Sequence, residues 1–148
     1  MISKLCALLM TCLALSACGG VDPDSPLAQR KAIFKDMLNT SENLNGMLGG
    51  RINFDGARFS EGAIKLDALA HQPWKHFPPV KEADHTNATD DVWQKQARFE
   101  ELARSLEVAT GALVIASDER PFKSSTLKPA LGNVQETCEA CHKEFRNH

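Results

Sequence analysis

The stretch LKPALGNVQETCEACHKEFR, residues 127–146, combines an apolar repeat with a cysteine–histidine motif close to the end of the chain. Its apolar and cysteine positions are separated by four, three, four, three and four residues, the spacing of one buried helix face. These positions are Leu127, Leu131, Val134, Cys138, Cys141 and Phe145. Cys138, Cys141 and His142 have the Cys-x-x-Cys-His spacing of c-type haem attachment. The two thiols can form thioethers to haem vinyl groups, and His142 can then reach the iron as an axial ligand. We therefore predict one covalent haem c on a helix with a buried face.

Length and composition indicate one globular domain. The chain has 148 residues, of which 43% are hydrophobic and 24% are charged, which suits a single core. It has 19 acidic and 17 basic residues, for a formal net charge of −2. Such a balance predicts no nucleic-acid partner.

Residues 1–17 have the plan of a secretory signal peptide. A single basic residue precedes an apolar run from Leu5 to Leu15, and small residues follow. The run is too short to span a membrane. Its end, Leu15-Ser16-Ala17-Cys18, resembles the lipobox of bacterial lipoproteins, in which cleavage precedes a cysteine that is then acylated. We predict a periplasmic protein with a lipid anchor at Cys18 and a tether at 18–25, the alternative being cleavage after Ala17 to a soluble periplasmic protein.

Apolar periodicity predicts four helices, at about 26–48, 55–71, 91–117 and from 125 to the end of the motif. Ser25 suits the N-cap of the first helix, Pro26 its first turn, and Gly49-Gly50 its end. A proline-rich segment, 73–88, is predicted to be a long ordered crossover. Pro129 is expected in the first turn of the last helix, where proline is tolerated. No strand is predicted, so the fold class is all-α: an antiparallel four-helix bundle over 26–148, with the haem near one end.

Three further motifs accompany the haem motif. Residues 29–37 of the first helix read QRKAIFKDM, Pro73-Trp74-x-x-Phe77 follows the second helix, and Phe145-Arg146 follows His142. Together these motifs resemble the cytochromes c′, the class II c-type cytochromes, over about residues 26–147. That family is itself a standard example of the four-helix bundle. Class I cytochromes c carry the haem motif near the N-terminus and a methionine ligand far downstream, which is the reverse order.

The resemblance makes one residue of the first helix decisive for function. Low-spin class II relatives supply a methionine ligand four residues after the arginine equivalent to Arg30, whereas high-spin cytochromes c′ have an apolar residue there. Phe34 holds this position and has no lone pair for iron. Five-coordinate iron that binds NO and CO is therefore expected. Met37 is the rival ligand, about 4.5 Å further along the helix axis, and is otherwise a core residue.

Four more residues are predicted to surround the haem. Arg30, on an apolar stripe, needs an anionic partner or a route to water. The resemblance implies a haem propionate, and snorkelling near the helix start is the alternative. Trp74 either donates its indole N–H to a propionate or only packs. Arg146, four residues after His142, is expected beside the imidazole or, alternatively, solvated in the last turn. Phe145 completes the set on the buried stripe.

The two cysteines also allow two other interpretations. A thioredoxin-like redox site needs a βαβ context, and a zinc site needs a fourth ligand. The histidines available for the zinc site are His71, His76, His85 and His148.

Two functions follow from the haem. The first is gas binding with protection against NO. The alternative is single-electron transfer between redox partner proteins by a class II cytochrome of low or high spin. Neither is conventional enzyme activity, since an apolar distal pocket offers no acid–base group. A homodimer is compatible with either function.

Overall fold

The computed structural model describes residues 21–81 and 86–147, and within these ranges the regular structure is helical. A 3-10 turn at Pro73–His76 opens the crossover between the second and third helices. The helices are α1 Pro26–Leu48, α2 Gly56–Ala70, α3 Asp91–Gln94, α4 Gln96–Asp118 and α5 Ser124–Phe145. The four long helices confirm the predicted all-α bundle. The predicted signal peptide and lipid anchor at Cys18 lie outside the described residues, and no described helix has the length and apolarity that a membrane span requires.

The first two helices begin and end where local chemistry dictates. The Ser25 side chain accepts a hydrogen bond from the Ala28 N–H (3.1 Å), and Pro26 is the first helical residue. The Asp55 carboxylate accepts from the Arg58 N–H (3.1 Å) in the same way at the start of α2. Each cap satisfies one N–H that has no partner within the helix. After α1 the chain turns at Gly50, whose φ of +76° is readily adopted only by glycine.

The buried side chains form two clusters. Most of the first cluster, the main core, occupies positions that apolar periodicity predicts to face inward. The main core consists of Met37, Leu44, Met47, Phe59, Ala63, Leu66, Ala70, Leu106, Ala109, Leu113, Leu127, Leu131 and Val134. The second, the aromatic cluster, lies where the crossover meets the C-terminal end of α5. The aromatic cluster consists of Trp74, Phe77, Val92, Trp93, Phe99, Leu102 and Phe145.

The predicted continuous helix over 91–117 is wrong at one point. Lys95 has φ −120° and ψ 47°, which separates the single turn α3 from α4. Trp93 of α3 donates its indole N–H to the Pro78 carbonyl of the crossover (2.8 Å), while Val92 remains buried in the aromatic cluster. These tertiary contacts fix the direction of α3 and override the local helical pattern.

The last helix starts earlier than predicted. Because α5 begins at Ser124, Pro129 is its sixth residue and lies inside the helix, not in the first turn. Its ring nitrogen cannot donate the hydrogen bond to the carbonyl four residues earlier, which would be that of Ser125.

The C-terminal end of α5 is held by the chain that follows the crossover. The Thr89 N–H donates to the Phe145 carbonyl (3.0 Å), and the Asn147 N–H donates to the Asn87 carbonyl (2.7 Å). An isolated antiparallel bridge pairs Ala88 with Arg146 between them. The crossover thus fixes the end of the helix that carries the cysteine–histidine motif.

Candidate haem site

The cysteine–histidine motif lies near the C-terminal end of α5 with its thiols at the edge of the core. Cys138 and Cys141 are half-buried and free, whereas His142 is exposed. Cys138 packs against the main core and Cys141 against the aromatic cluster. The two thiols are therefore fixed by packing, with part of each left accessible for a bond to another group.

Burial keeps both thiols protonated at neutral pH in the protein chain alone. Desolvation raises the pKa of Cys138, and it raises the pKa of Cys141 to about 11, with further contributions from Cys138 and Glu144. Glu144 itself is held by Arg98, whose Nη2 lies 2.7 Å from Oε1. Hydrogen bonding from Arg98 lowers the pKa of Glu144, so the carboxylate stays charged.

A cleft lies between the C-terminal part of α1 and the N-terminal part of α5. Its volume is about 290 Å³, and both helices line it: Asn45, Leu48, Gly49, Lys128, Leu131, Gly132 and Gln135. Seven residues are close to two helical turns, so positions a heptad apart lie on the same side of a helix. Phe34 lies two heptads before Leu48, and His142 lies one heptad after Gln135. The sides of α1 and α5 that line the cleft therefore continue to Phe34 and His142.

These residues fit a covalently attached haem. Of the helix pairs that pack side by side around the bundle, α1 and α5 make the fewest contacts, so this side of the bundle is the least closed. Phe34, Cys138 and Cys141 are all apolar or weakly polar and only half-buried, and they offer surface that a flat apolar group would cover. Cys138 and Cys141 would hold the porphyrin through its vinyl groups, and His142 would bind the iron.

Phe34 and Met37 have different surroundings although they are three residues apart. The Phe34 ring packs edge-on against Trp74 and Phe77, with centroids 6.1 and 6.5 Å away. Met37 is 6% exposed and belongs to the main core. The sulfur of Met37 is thus part of the packing between helices, whereas Phe34 is half-buried against the crossover.

Arg30 is buried, not snorkelling. Its side chain is 3% exposed, so the interpretation that it reaches water near the helix start is wrong. Nη1 donates to the His76 carbonyl (2.9 Å), and Nη2 donates to the Thr86 hydroxyl (3.2 Å). The guanidinium also lies 4.7 Å from the centroid of the Phe77 ring, a cation–π distance. Arg30 therefore joins α1 to both ends of the described crossover.

Trp74 uses its indole N–H within the protein. The N–H donates to Glu107 Oε1 of α4 (2.8 Å), so the structure does not direct it towards a propionate. The ring packs against Phe34 and, at 5.8 Å, against Phe99. Of the two predicted roles, the structure shows the packing role.

Phe145 and Arg146 follow His142 by three and four residues, and their side chains have different environments. Phe145 is 4% exposed, and its ring centroid lies 5.4 Å from that of Phe99, as its place on the buried stripe predicts. Arg146 has an extended backbone (φ −121°, ψ 130°) beyond the end of α5, and it is exposed. As the C-cap of α5, Arg146 still donates its N–H to the His142 carbonyl (3.1 Å), and its position beside the imidazole stays a prediction.

A zinc site at Cys138, Cys141 and His142 would need a fourth ligand, for which other histidines are the candidates. His85 and His148 lie outside the described residues. Among the residues that the structure describes, no group of three or more histidine, cysteine or acidic side chains has the arrangement to hold a metal ion.

Two contributors to the site were not predicted. Glu107 accepts the Trp74 N–H from 33 residues away, and Thr86 accepts from Arg30 across 56 residues. Both are polar residues without a local motif. The only signal in the sequence was that Glu107 directly follows the inward-facing Leu106 and so borders the buried face of α4.

Fold and motif together define a class of protein, a four-helix bundle whose last helix carries a C-terminal c-type haem signature. The family model described as Cytochrome C′ matches residues 25–146. The chain belongs to the cytochrome c′ family, and members of this family bind a covalent c-type haem.

Individual relatives agree with this assignment. Cytochrome c′ of Rhodopseudomonas palustris is 33% identical over 126 residues, covering 81% of this chain and 80% of the relative. Cytochrome c′ of Halomonas halodenitrificans is 29% identical over 132 residues, covering 84% and 98%. The solved cytochrome c prime from Shewanella frigidimarina has a TM-score of 0.80 at 25% identity, covering 87% of this chain and 99% of its own.

Proposed function

We propose that this protein is a periplasmic haem protein with five-coordinate iron that binds NO and CO and thereby protects against NO. The observation that carries the proposal is the nature of Phe34. It lies two heptads before Leu48, on the side of α1 that lines the α1–α5 cleft, and its side chain has no atom able to bind iron. The nearest methionine, Met37, is buried in the main core.

The surroundings of Phe34 favour small uncharged ligands. When bound, the haem supplies an iron with one open axial position for a diatomic gas. Phe34, with Trp74 and Phe77 behind it, forms an apolar wall. The indole N–H of Trp74 already donates to Glu107. Without that donor to stabilise a polar ligand such as bound O₂, the wall favours CO and NO.

Relatives of the same fold support a gas-binding role. Solved structures of cytochrome c prime from Alcaligenes xylosoxidans include a nitric oxide complex of one variant and a carbon monoxide-bound form of another, each with a TM-score of 0.76 and 22% identity to this chain. Gas binding is thus compatible with this arrangement of four helices.

Optical spectroscopy of the ferrous holoprotein with CO and NO titrations tests the proposal. A high-spin spectrum that changes on addition of either gas is the expected result. A low-spin spectrum of the methionine-ligated type would overturn the five-coordinate assignment. Negligible NO binding together with rapid, reversible reduction by a donor protein would favour single-electron transfer instead.

The proposed location rests on the leader sequence. An exported chain agrees with haem attachment outside the cytoplasm, and Cys18 stands where a lipobox requires its acylated cysteine. Mass spectrometry of the mature protein is expected to report both the haem mass and acylation at Cys18. A mature chain with an unmodified cysteine would leave export intact and exclude the lipid anchor.

A further inference from the structure

We infer that Glu107 is a positioning residue that fixes Trp74 against Phe34 and so limits how readily a gas reaches the iron. The inference rests on the proposed gas-binding function and adds a residue from a third helix to it. Two contacts link Glu107 to Phe34 through Trp74. Glu107 Oε1 accepts the Trp74 indole N–H at 2.8 Å, and the Trp74 ring meets the Phe34 ring at 6.1 Å with an interplanar angle of 67°.

The first contact is strong because the acceptor is a carboxylate with restricted access to water. The Glu107 side chain is only 25% exposed, and hydrogen bonds to ionised groups are stronger than neutral ones. The same Oε1 lies 3.4 Å from Nδ1 of His71 at the end of α2. Glu107 therefore contacts both ends of the short connection between α2 and the 3-10 turn that holds Trp74.

The backbone of α4 next to Glu107 is also tied to α2. Thr110 donates from its hydroxyl to Asp67 Oδ1 of α2 (2.8 Å) and lies 3.0 Å from the Glu107 carbonyl. Since Thr110 is fully buried, this bond ties α4 to α2 within one helical turn of Glu107. The acceptor for Trp74 is thus held on a rigid part of the bundle.

The second contact, between Trp74 and Phe34, makes the position of the Phe34 ring depend on that of Trp74. Trp74 sits between Phe34 and Phe99, each in an edge-on arrangement, which aromatic pairs favour. If the N–H loses its acceptor, the indole can rotate and Phe34 loses the surface that supports it. Phe34 would then move away from the iron more often, and gas would enter faster.

Rates of CO association to the ferrous holoprotein test the inference. Glu107→Ala removes the acceptor, and we expect association to be faster by about threefold to tenfold. Glu107→Gln keeps an acceptor oxygen and is expected to restore most of the wild-type rate. Glu100→Ala, at an exposed position of the same helix where the carboxylate pairs with Arg104, is the matched control and should leave the rate unchanged.

The outcomes separate the inference from the function on which it rests. If the unmodified ferrous protein binds no CO, the proposed function itself fails. If it binds CO but Glu107→Ala associates at the wild-type rate, or Glu107→Gln changes the rate as much as Glu107→Ala, the positioning role is excluded. Should Glu107→Ala not yield folded holoprotein, Trp74→Phe decides, because it keeps an aromatic ring and removes the N–H. A wild-type CO rate in that variant would also exclude the role.

Discussion

Phe34 and Met37 show how much depends on single positions of one helix. Both are apolar and both belong to the inner side of α1, but the chain surrounds them differently. Met37 contacts the main core from within, whereas Phe34 is half-buried beside Trp74 and Phe77. A half-buried residue on the side of α1 that faces α5 can influence a ligand at the iron, and a residue inside the main core cannot do so without repacking the bundle.

Placing a methionine sulfur at position 34 should change the coordination and the spin state of the iron. We expect Phe34→Met to give a low-spin, six-coordinate spectrum, because the new thioether would lie on the side of α1 that faces His142. The methionine must leave before CO binds, so apparent CO affinity should fall by about tenfold or more. Absorption spectra and CO titration of the ferrous protein measure both effects.

Met37→Leu is the matched control for this exchange. It conserves core volume, costs less than about 1.5 kcal/mol of stability, and should leave the spectrum unchanged. A spectral change in Met37→Leu, with none in Phe34→Met, would assign the distal position to Met37.

At the scale of helices, the distance between two elements depends on which positions are glycine and so have no side chain. Gly56 begins α2 directly against the Phe122 ring, and a Cβ at this position would overlap that ring. Gly132 lies inside α5 beside the cleft, with no atom within 4 Å of the place a Cβ would occupy. An alanine side chain would therefore overlap a neighbour at Gly56 but enter open space at Gly132.

Glycine-to-alanine substitutions at these two positions should have opposite effects on stability. Gly56→Ala forces Phe122 out of place and should lower the free energy of unfolding by about 1–3 kcal/mol. Gly132→Ala removes a flexible residue from a helix interior and should raise it by up to about 1 kcal/mol. Urea unfolding of the two holoprotein variants compares them, and a loss of stability in Gly132→Ala would contradict the open environment of that site.

The sequence predicts the helices far better than the contacts between them. The buried stripes of α1, α2, α4 and α5 follow from a local period of three and four residues, and that period placed Cys138, Cys141 and Phe145 correctly at the core edge. The break at Lys95 was missed. It depends on the crossover, whose Pro78 carbonyl accepts from Trp93 across 15 residues.

The sequence identifies the cofactor, where a local motif carries the chemistry, but not the contacts in which two distant residues must meet. Cys-x-x-Cys-His is a local pattern that defines its own cofactor. The partners of Arg30 and Trp74 are a backbone carbonyl, a threonine and a glutamate, at separations of 33 to 56 residues. No periodicity relates such positions, so a general rule about buried cations or indole donors could state the need for a partner but not its identity.

At the scale of the whole molecule, packing around the bundle is uneven. The α4–α5 and α2–α4 interfaces are the most extensive, and α1–α5 is the sparsest of the neighbouring pairs. A covalent haem between α1 and α5 would supply the apolar contacts that this side lacks. The haem is then a structural component of the bundle as well as the site of ligand binding.

This unevenness predicts which helix loosens when the haem is absent. In the double variant Cys138→Ala/Cys141→Ala, which cannot attach haem, we expect amide protection in α1 to fall about 10- to 100-fold more than in α4, a difference of about 1.4–2.7 kcal/mol in local opening. Helix α4 keeps its contacts with α2 and α5, whereas α1 keeps mainly those with α2. Hydrogen exchange measured by mass spectrometry on the variant and on the holoprotein gives the comparison. The unmodified sequence produced without haem attachment should behave like the variant, which separates loss of the haem from loss of the thiols. Equal loss of protection in α1, α2, α4 and α5 would mean that the bundle opens as one unit and that the α1–α5 side has no special dependence on the haem.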